Sequence, residues 1–78
     1  MTRKLLIRHR VKELAEARGW NMTSLAYRAD ISTTIIRKIF QDPHYEGMYS
    51  TWVRLAKVFG IPVSELVFEV QEQTDDSQ

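Results

Sequence analysis

Four polar side chains within six residues, Thr33, Thr34, Arg37 and Lys38, supply two hydroxyls and two cations along one stretch of the chain. Residues three and four apart share a helix face, so on a helix these four form a single donor-rich edge. A threonine hydroxyl or methyl and an arginine fork suit the exposed edges of nucleobases, and a lysine suits guanine or phosphate. The bland alternative for Thr33 and Thr34 is support of a helix start, and for Arg37 and Lys38 contact with phosphate alone.

The neighbouring residues imply such a helix and a second one before it. In NMTSLAYRADISTTIIRKIF, Leu25, Ala26 and Ala29 give the first helix an inner face, and Ile36 and Ile39 give one to the second. Helices that cross steeply after a short turn approach closely only over a small side chain, which Ala26 supplies. Ile31 lies in the turn and is expected to plug the gap. With Ile36 and Ile39 inward, positions 33, 34, 37 and 38 face outward. This is the outline of a helix-turn-helix that reads DNA, with its core at 22–40.

Charge points the same way. The formal net charge is only +1, but residues 1–40 carry nine Lys/Arg against three acids, a net +6, and residues 41–78 carry two against seven, a net −5. Phosphate attraction needs a local positive face, not a basic whole. A solvated helix surface explains the charge alone; its coincidence with the two-helix pattern favours nucleic acid.

The remaining segments must position that pair. Val11, Leu14 and Ala15 mark a first helix over Val11–Arg18 that Gly19 stops. KLLIRHR before it fits both helix and strand, and a strand at Lys4–His9 is preferred. Trp20 is expected to pack on the core and Asn21 to cap a helix from Met22 to Ala29. Asp30 falls where a left-handed backbone is wanted. Ser32 caps the next helix, which ends near Phe40 because Pro43 disfavours helix in the residue before it.

A polar loop, HYEGM, follows. Tyr49, Trp52, Val53, Leu55, Ala56 and Phe59 define a fourth helix, capped by Ser50 or a near neighbour and closed at Gly60. Pro62 in a first turn opens a short fifth helix over Val63–Val67. LVFEV then alternates, which suggests a strand at Val67–Val70 that pairs with the N-terminal strand or, across a two-fold axis, with a second copy. Residues 71–78 are polar enough for a disordered tail.

Seventy-eight residues with 44% hydrophobic content fit one small domain, here taken as residues 1–70. The fold class expected is mainly all-α, with five helices and a short pair of terminal strands. Without cysteine there is no disulfide or thiolate metal site, and His9 with His44 cannot make a zinc site, so no metal and no cofactor is expected. No apolar run approaches the ~20 residues of a membrane span, and no signal-peptide pattern opens the chain. No catalytic residue stands out: no paired histidines, no phosphate-cradling glycine loop, no inward carboxylate pair. Glu13 and Glu16 read as a solvated face.

The fragments ARGW, LAYRADIS, IIRKI and RLAKVFGIPVSEL resemble the Cro and phage-repressor (XRE-type) helix-turn-helix family over Val11 to Leu66, closest to its short variant with a strand at each end. The resemblance implies a DNA-binding transcriptional regulator, chiefly a repressor, working as a homodimer on double-stranded DNA in a bacterial or phage-infected cytoplasm. It carries base contact to Thr33, Thr34, Arg37 and Lys38, and phosphate contact to Asn21, His44 and Tyr45; Thr23, Arg8 or Arg10 is expected, with Asn21, to compensate for the anchor that Met22 lacks. An N-terminal arm of Arg3 and Lys4 is a further approach to DNA.

Two departures stand out. Met22 occupies a position where the family usually has a phosphate-binding Gln. Ala15 and Phe40 replace an Arg–Glu ion pair and are expected to form an apolar contact, with Phe40→Ala costing about 3–5 kcal/mol if Phe40 is buried. The acidic segment EVQEQTDDSQ leaves a second reading open, an antitoxin or adaptor that binds a partner protein through its C-terminal segment.

Overall fold

The computed structural model describes residues 5–71 and consists of five helices and one two-stranded sheet: β1 (Leu5–His9), α1 (Val11–Ala17), α2 (Met22–Ala29), α3 (Thr33–Gln41), α4 (Tyr49–Phe59), α5 (Val63–Leu66) and β2 (Val67–Gln71). The mainly α-helical class with paired terminal strands is as expected. Among the described residues no helix is long and apolar enough to cross a membrane. Lys4 and Arg3, and the expected disordered tail from residue 72 on with most of the acidic segment, lie outside the described residues.

The helices meet in one core of Val11, Ala15, Leu25, Ala26, Ala29, Ile36, Ile39, Trp52, Leu55, Ala56, Phe59 and Leu66. Every apolar position assigned inward on the two central helices is buried there. Ile31, Leu14 and Trp20 are half-buried against this core and close its margins.

Three helices end by one device. Gly19, Asp30 and Gly60 adopt left-handed backbone at φ 73°, 58° and 75°, and the next residue, Trp20, Ile31 or Ile61, donates its N–H back to the carbonyl of Ala15, Ala26 or Ala56. This is the Schellman arrangement, which folds an apolar side chain back onto the helix it terminates. Asp30 is the one non-glycine at such a position among the described residues, and aspartate tolerates it better than most side chains.

Boundaries shift by a residue at some ends. α1 stops at Ala17 with Arg18 as its cap, α3 runs one residue past Phe40, α5 ends at Leu66, and β2 extends to Gln71. Pro62 is the N-cap of α5, one position earlier than expected. The cap of α4 is Met48, with no side-chain hydrogen bond. Ser50 therefore sits inside the first turn and caps nothing.

The strands pair antiparallel with each other, Leu6 opposite Val70 and His9 opposite Val67. The outer edge of β1 is occupied by the α3–α4 loop: the His9 N–H donates to the Pro43 carbonyl at 3.0 Å, and the His44 Nδ1–H donates to the Ile7 carbonyl at 2.8 Å.

His9 joins these parts. Its side chain is buried, 2% exposed, with its ring 5.3 Å from that of Trp52. Nδ1 accepts the Val11 N–H at 3.3 Å, which leaves the proton on Nε2 to be donated to the Asp42 carbonyl at 2.8 Å. One neutral tautomer thus caps the start of α1 and holds the end of α3.

Burial pushes the His9 pKa below the usual imidazole value, against the opposing pull of the Asp42 carbonyl and the Glu13 and Asp42 charges. The unfolded chain takes up this proton first as pH falls, so the stability contribution is complete above about pH 6.5 and is lost progressively below it, until the folded ring itself is protonated. Between pH 7.5 and pH 5.5 the urea midpoint of the wild type is expected to fall further than that of His9→Gln. Parallel slopes for the two proteins would show that His9 titrates freely.

Candidate nucleic-acid interface

Ser32 starts α3 by accepting the Ile35 N–H on its Oγ at 3.3 Å. From there the burial of Ile36 and Ile39 fixes the helix phase, and Thr33, Thr34, Arg37 and Lys38 are all exposed on α3. Among the described residues neither Arg37 nor Lys38 makes an ion pair or a side-chain hydrogen bond. Two hydroxyls and two unengaged cations remain available to a ligand. Ile35 is half-buried against the core, which accounts for it without a ligand.

The turn before α3 is clamped from behind. Arg54 on α4 donates from Nη1 to the Asp30 carbonyl at 2.9 Å and pairs with the Asp30 carboxylate at 3.6 Å. The α2–α3 angle is therefore held by a third helix as well as by Ala26.

The expected phosphate contacts separate into three groups. At the start of α2, Asn21 and Thr23 are exposed; Asn21 Oδ1 caps Ser24 N–H at 2.8 Å, so the Asn21 amide N–H groups stay free to donate outward. Beyond α3, His44 is exposed but has one ring nitrogen committed to β1, while Tyr45 is half-buried against the core and has a packing role. Arg8 and Arg10 are drawn into internal contacts. Arg8 pairs with Glu13 at 3.2 Å, and Arg10 donates to the Glu65 carbonyl at 3.3 Å, at the far end of the chain.

Other cations of the N-terminal half are also engaged. Arg28 lies over the Trp20 ring at 4.5 Å, and Arg18 donates to the Phe59 carbonyl at 2.9 Å while covering the Phe59 ring at 5.1 Å. Trp20 and Phe59 stack at 5.8 Å between them. Trp20 thus packs on the core within a cation–aromatic layer.

Phe40 is expected to form an apolar contact with Ala15, and it packs against the core that contains Ala15. Ala15 is fully buried, but Phe40 is only half-buried, because it sits at the last full turn of α3 where the core opens to solvent. It forms the shared floor of three adjoining concavities: one with Glu16, Trp20, Asn21 and Met22, one with Lys12, Met22, Arg37 and Gln41, and one with Arg8, Lys12, Gln41 and Pro43. Together they line the surface from the start of α2, past Arg37, to the α3–α4 loop.

Lys12 and Gln41 are residues that the sequence reading missed. Lys12 lies three residues before Ala15, the α1 position already matched to Phe40, and that spacing was the available signal. Among the described residues no cluster of three or more metal-ligating side chains occurs. Compared with protein-family models and with curated proteins, the chain matches none.

Half-burial lowers the cost of removing Phe40. Phe40→Ala is expected to destabilise by about 1–2 kcal/mol, less than the 3–5 typical of a sealed aromatic. Chemical denaturation checks it, and a loss above about 3 kcal/mol would mean that the ring is sealed in solution.

Proposed function

We propose that this chain is a sequence-specific double-stranded DNA-binding protein of the Cro and phage-repressor (XRE-like) kind, a transcriptional regulator that places α3 in the major groove. The observation that carries the reading is the exposed set Thr33, Thr34, Arg37 and Lys38, unpaired among the described residues, on a helix whose opposite face, Ile36 and Ile39, is sealed. The major groove admits one helix, and its base edges present the acceptors and methyl groups that these side chains recognise. Occlusion of a promoter is the simplest action of so small a reader, which makes repression the expected sign. A bacterial or phage-infected cytoplasm is its setting.

Selection of duplexes from a random pool at two salt concentrations tests this directly. The expected result is an enriched motif whose preference at one or two positions is lost in Arg37→Ala, at about 1–3 kcal/mol of discrimination. No enrichment at ~100 mM salt would overturn the reading.

A homodimer belongs to the same proposal, since paired readers on a two-fold axis contact two half-sites. Its support lies in the sheet. Ile7 and His9 turn their backbone groups to the loop, so Glu69, opposite Ile7, turns its own away from β1, where no described residue meets them. An open strand edge is a template for a second strand. Leu6, Phe68 and Val70 also share the sheet face opposite to Ile7 and His9, and they are not packed on the core.

Antiparallel pairing of β2 with its copy, centred on Val70, extends this face and keeps the two Glu69 side chains from lying opposite each other. Facing residues at such a non-hydrogen-bonded pair are about 4.5 Å apart at Cα, within disulfide reach. The chain has no cysteine, so Val70→Cys reports on this contact alone. Mild oxidation is expected to give a covalent dimer with Val70→Cys and none with Ser64→Cys; monomer in both would remove the β2 interface.

A further inference from the structure

Met22 leaves the first residue of α2 without a side-chain phosphate donor beside the free Asn21 amide, and the fold gathers further donors around that position. Met22 is one wall of a concavity of about 460 Å³ whose remaining lining is Lys12 from α1 and Arg37, Phe40 and Gln41 from α3. We infer that this concavity is a phosphodiester seat in which Lys12 and Gln41 hold the DNA backbone in place of the missing donor at Met22.

The inference rests on the DNA-binding reading and specifies how that same surface is anchored. Lys12 and Gln41 are exposed, and among the described residues neither side chain has an ion-pair or hydrogen-bond partner. The ammonium brings three donors and the amide two, while Phe40 and Met22 supply an apolar floor that keeps the seat shallow. Arg37 lines the same concavity and belongs to the reading edge, so a strand whose bases meet α3 passes its backbone beside Lys12.

Neighbouring carboxylates leave the seat positive. Glu13, next to Lys12, is held by Arg8 at 3.2 Å. Glu16 lies in the adjoining concavity with Trp20 and Asn21. Arg8 and Arg10, the earlier candidates for this task, are occupied by Glu13 and by the Glu65 carbonyl.

Phosphate contact is independent of sequence, so a labelled short duplex of arbitrary sequence is a sufficient probe. Affinity is measured by titration between about 50 and 200 mM salt for the wild type, Lys12→Ala, Gln41→Ala, Lys57→Ala and Met22→Gln. Lys57 is an exposed lysine of α4 outside this concavity and serves as the control. Lys12→Ala is expected to weaken binding several-fold and to lower the salt slope by about one unit. Gln41→Ala should weaken binding without changing the slope, and Lys57→Ala should change neither.

Met22→Gln places an amide donor at the same wall and is expected to restore part of the affinity when combined with Lys12→Ala. A wild-type slope and affinity retained in Lys12→Ala would overturn the seat while leaving DNA binding intact. Failure of the wild type to bind any duplex would instead overturn the DNA-binding reading, and the seat with it.

Discussion

A nine-residue helix has one rotational setting that buries both Ile36 and Ile39, and the organisation of this surface follows from that setting. Each isoleucine withdraws apolar area worth roughly 1.5–3 kcal/mol from water. Turning α3 by even one residue's angle would expose one of them. The polar identities at 33, 34, 37 and 38 are thus presented by the core and not by any contact of their own. Ala26 on α2, together with the left-handed Asp30, sets how near and at what angle the buried side can lie.

The cations divide by the same logic of burial. Arg18 and Arg28 cover aromatic rings, Arg54 clamps the turn, and Arg8 and Arg10 bind partners within the fold. Lys12, Arg37 and Lys38 are left unengaged on α1 and α3. A charge count over half of the chain overstates what a ligand would meet, since side chains with an internal partner contribute less to the external field. Among the described residues of the N-terminal half, the surviving charges lie on α3 and beside it, while Lys57 remains free on α4.

Helix phases were legible in the sequence because apolar spacing and αL stops are local signals: Asn21, Asp30, Ser32 and Gly60 each sit at the terminus expected of them. The fate of His9 was not legible. A lone histidine in an alternating segment gives no sign that its ring will meet a carbonyl 33 positions away. The choice between helix and strand for KLLIRHR was settled by pairing with β2, also a long-range event. How deeply Phe40 is buried was not legible, because sequence identifies an apolar side but not where the core ends. Lys12 is not singled out by sequence because the facing end of α3 cannot be seen from α1 alone.

The loop between α3 and α4 touches more of the protein than its polar composition suggests. Asp42 continues the backbone bonding of α3 through the Lys38 carbonyl and accepts the His9 ring proton, while Pro43 and His44 hold β1. The sheet and the end of α3 are thereby joined by short, directed bonds with no hinge between them. If two copies meet through their sheets, the distance and angle between their α3 helices are inherited from one rigid linkage. Such a protein would measure as well as read, tolerating substituted bases between two sites more readily than inserted ones.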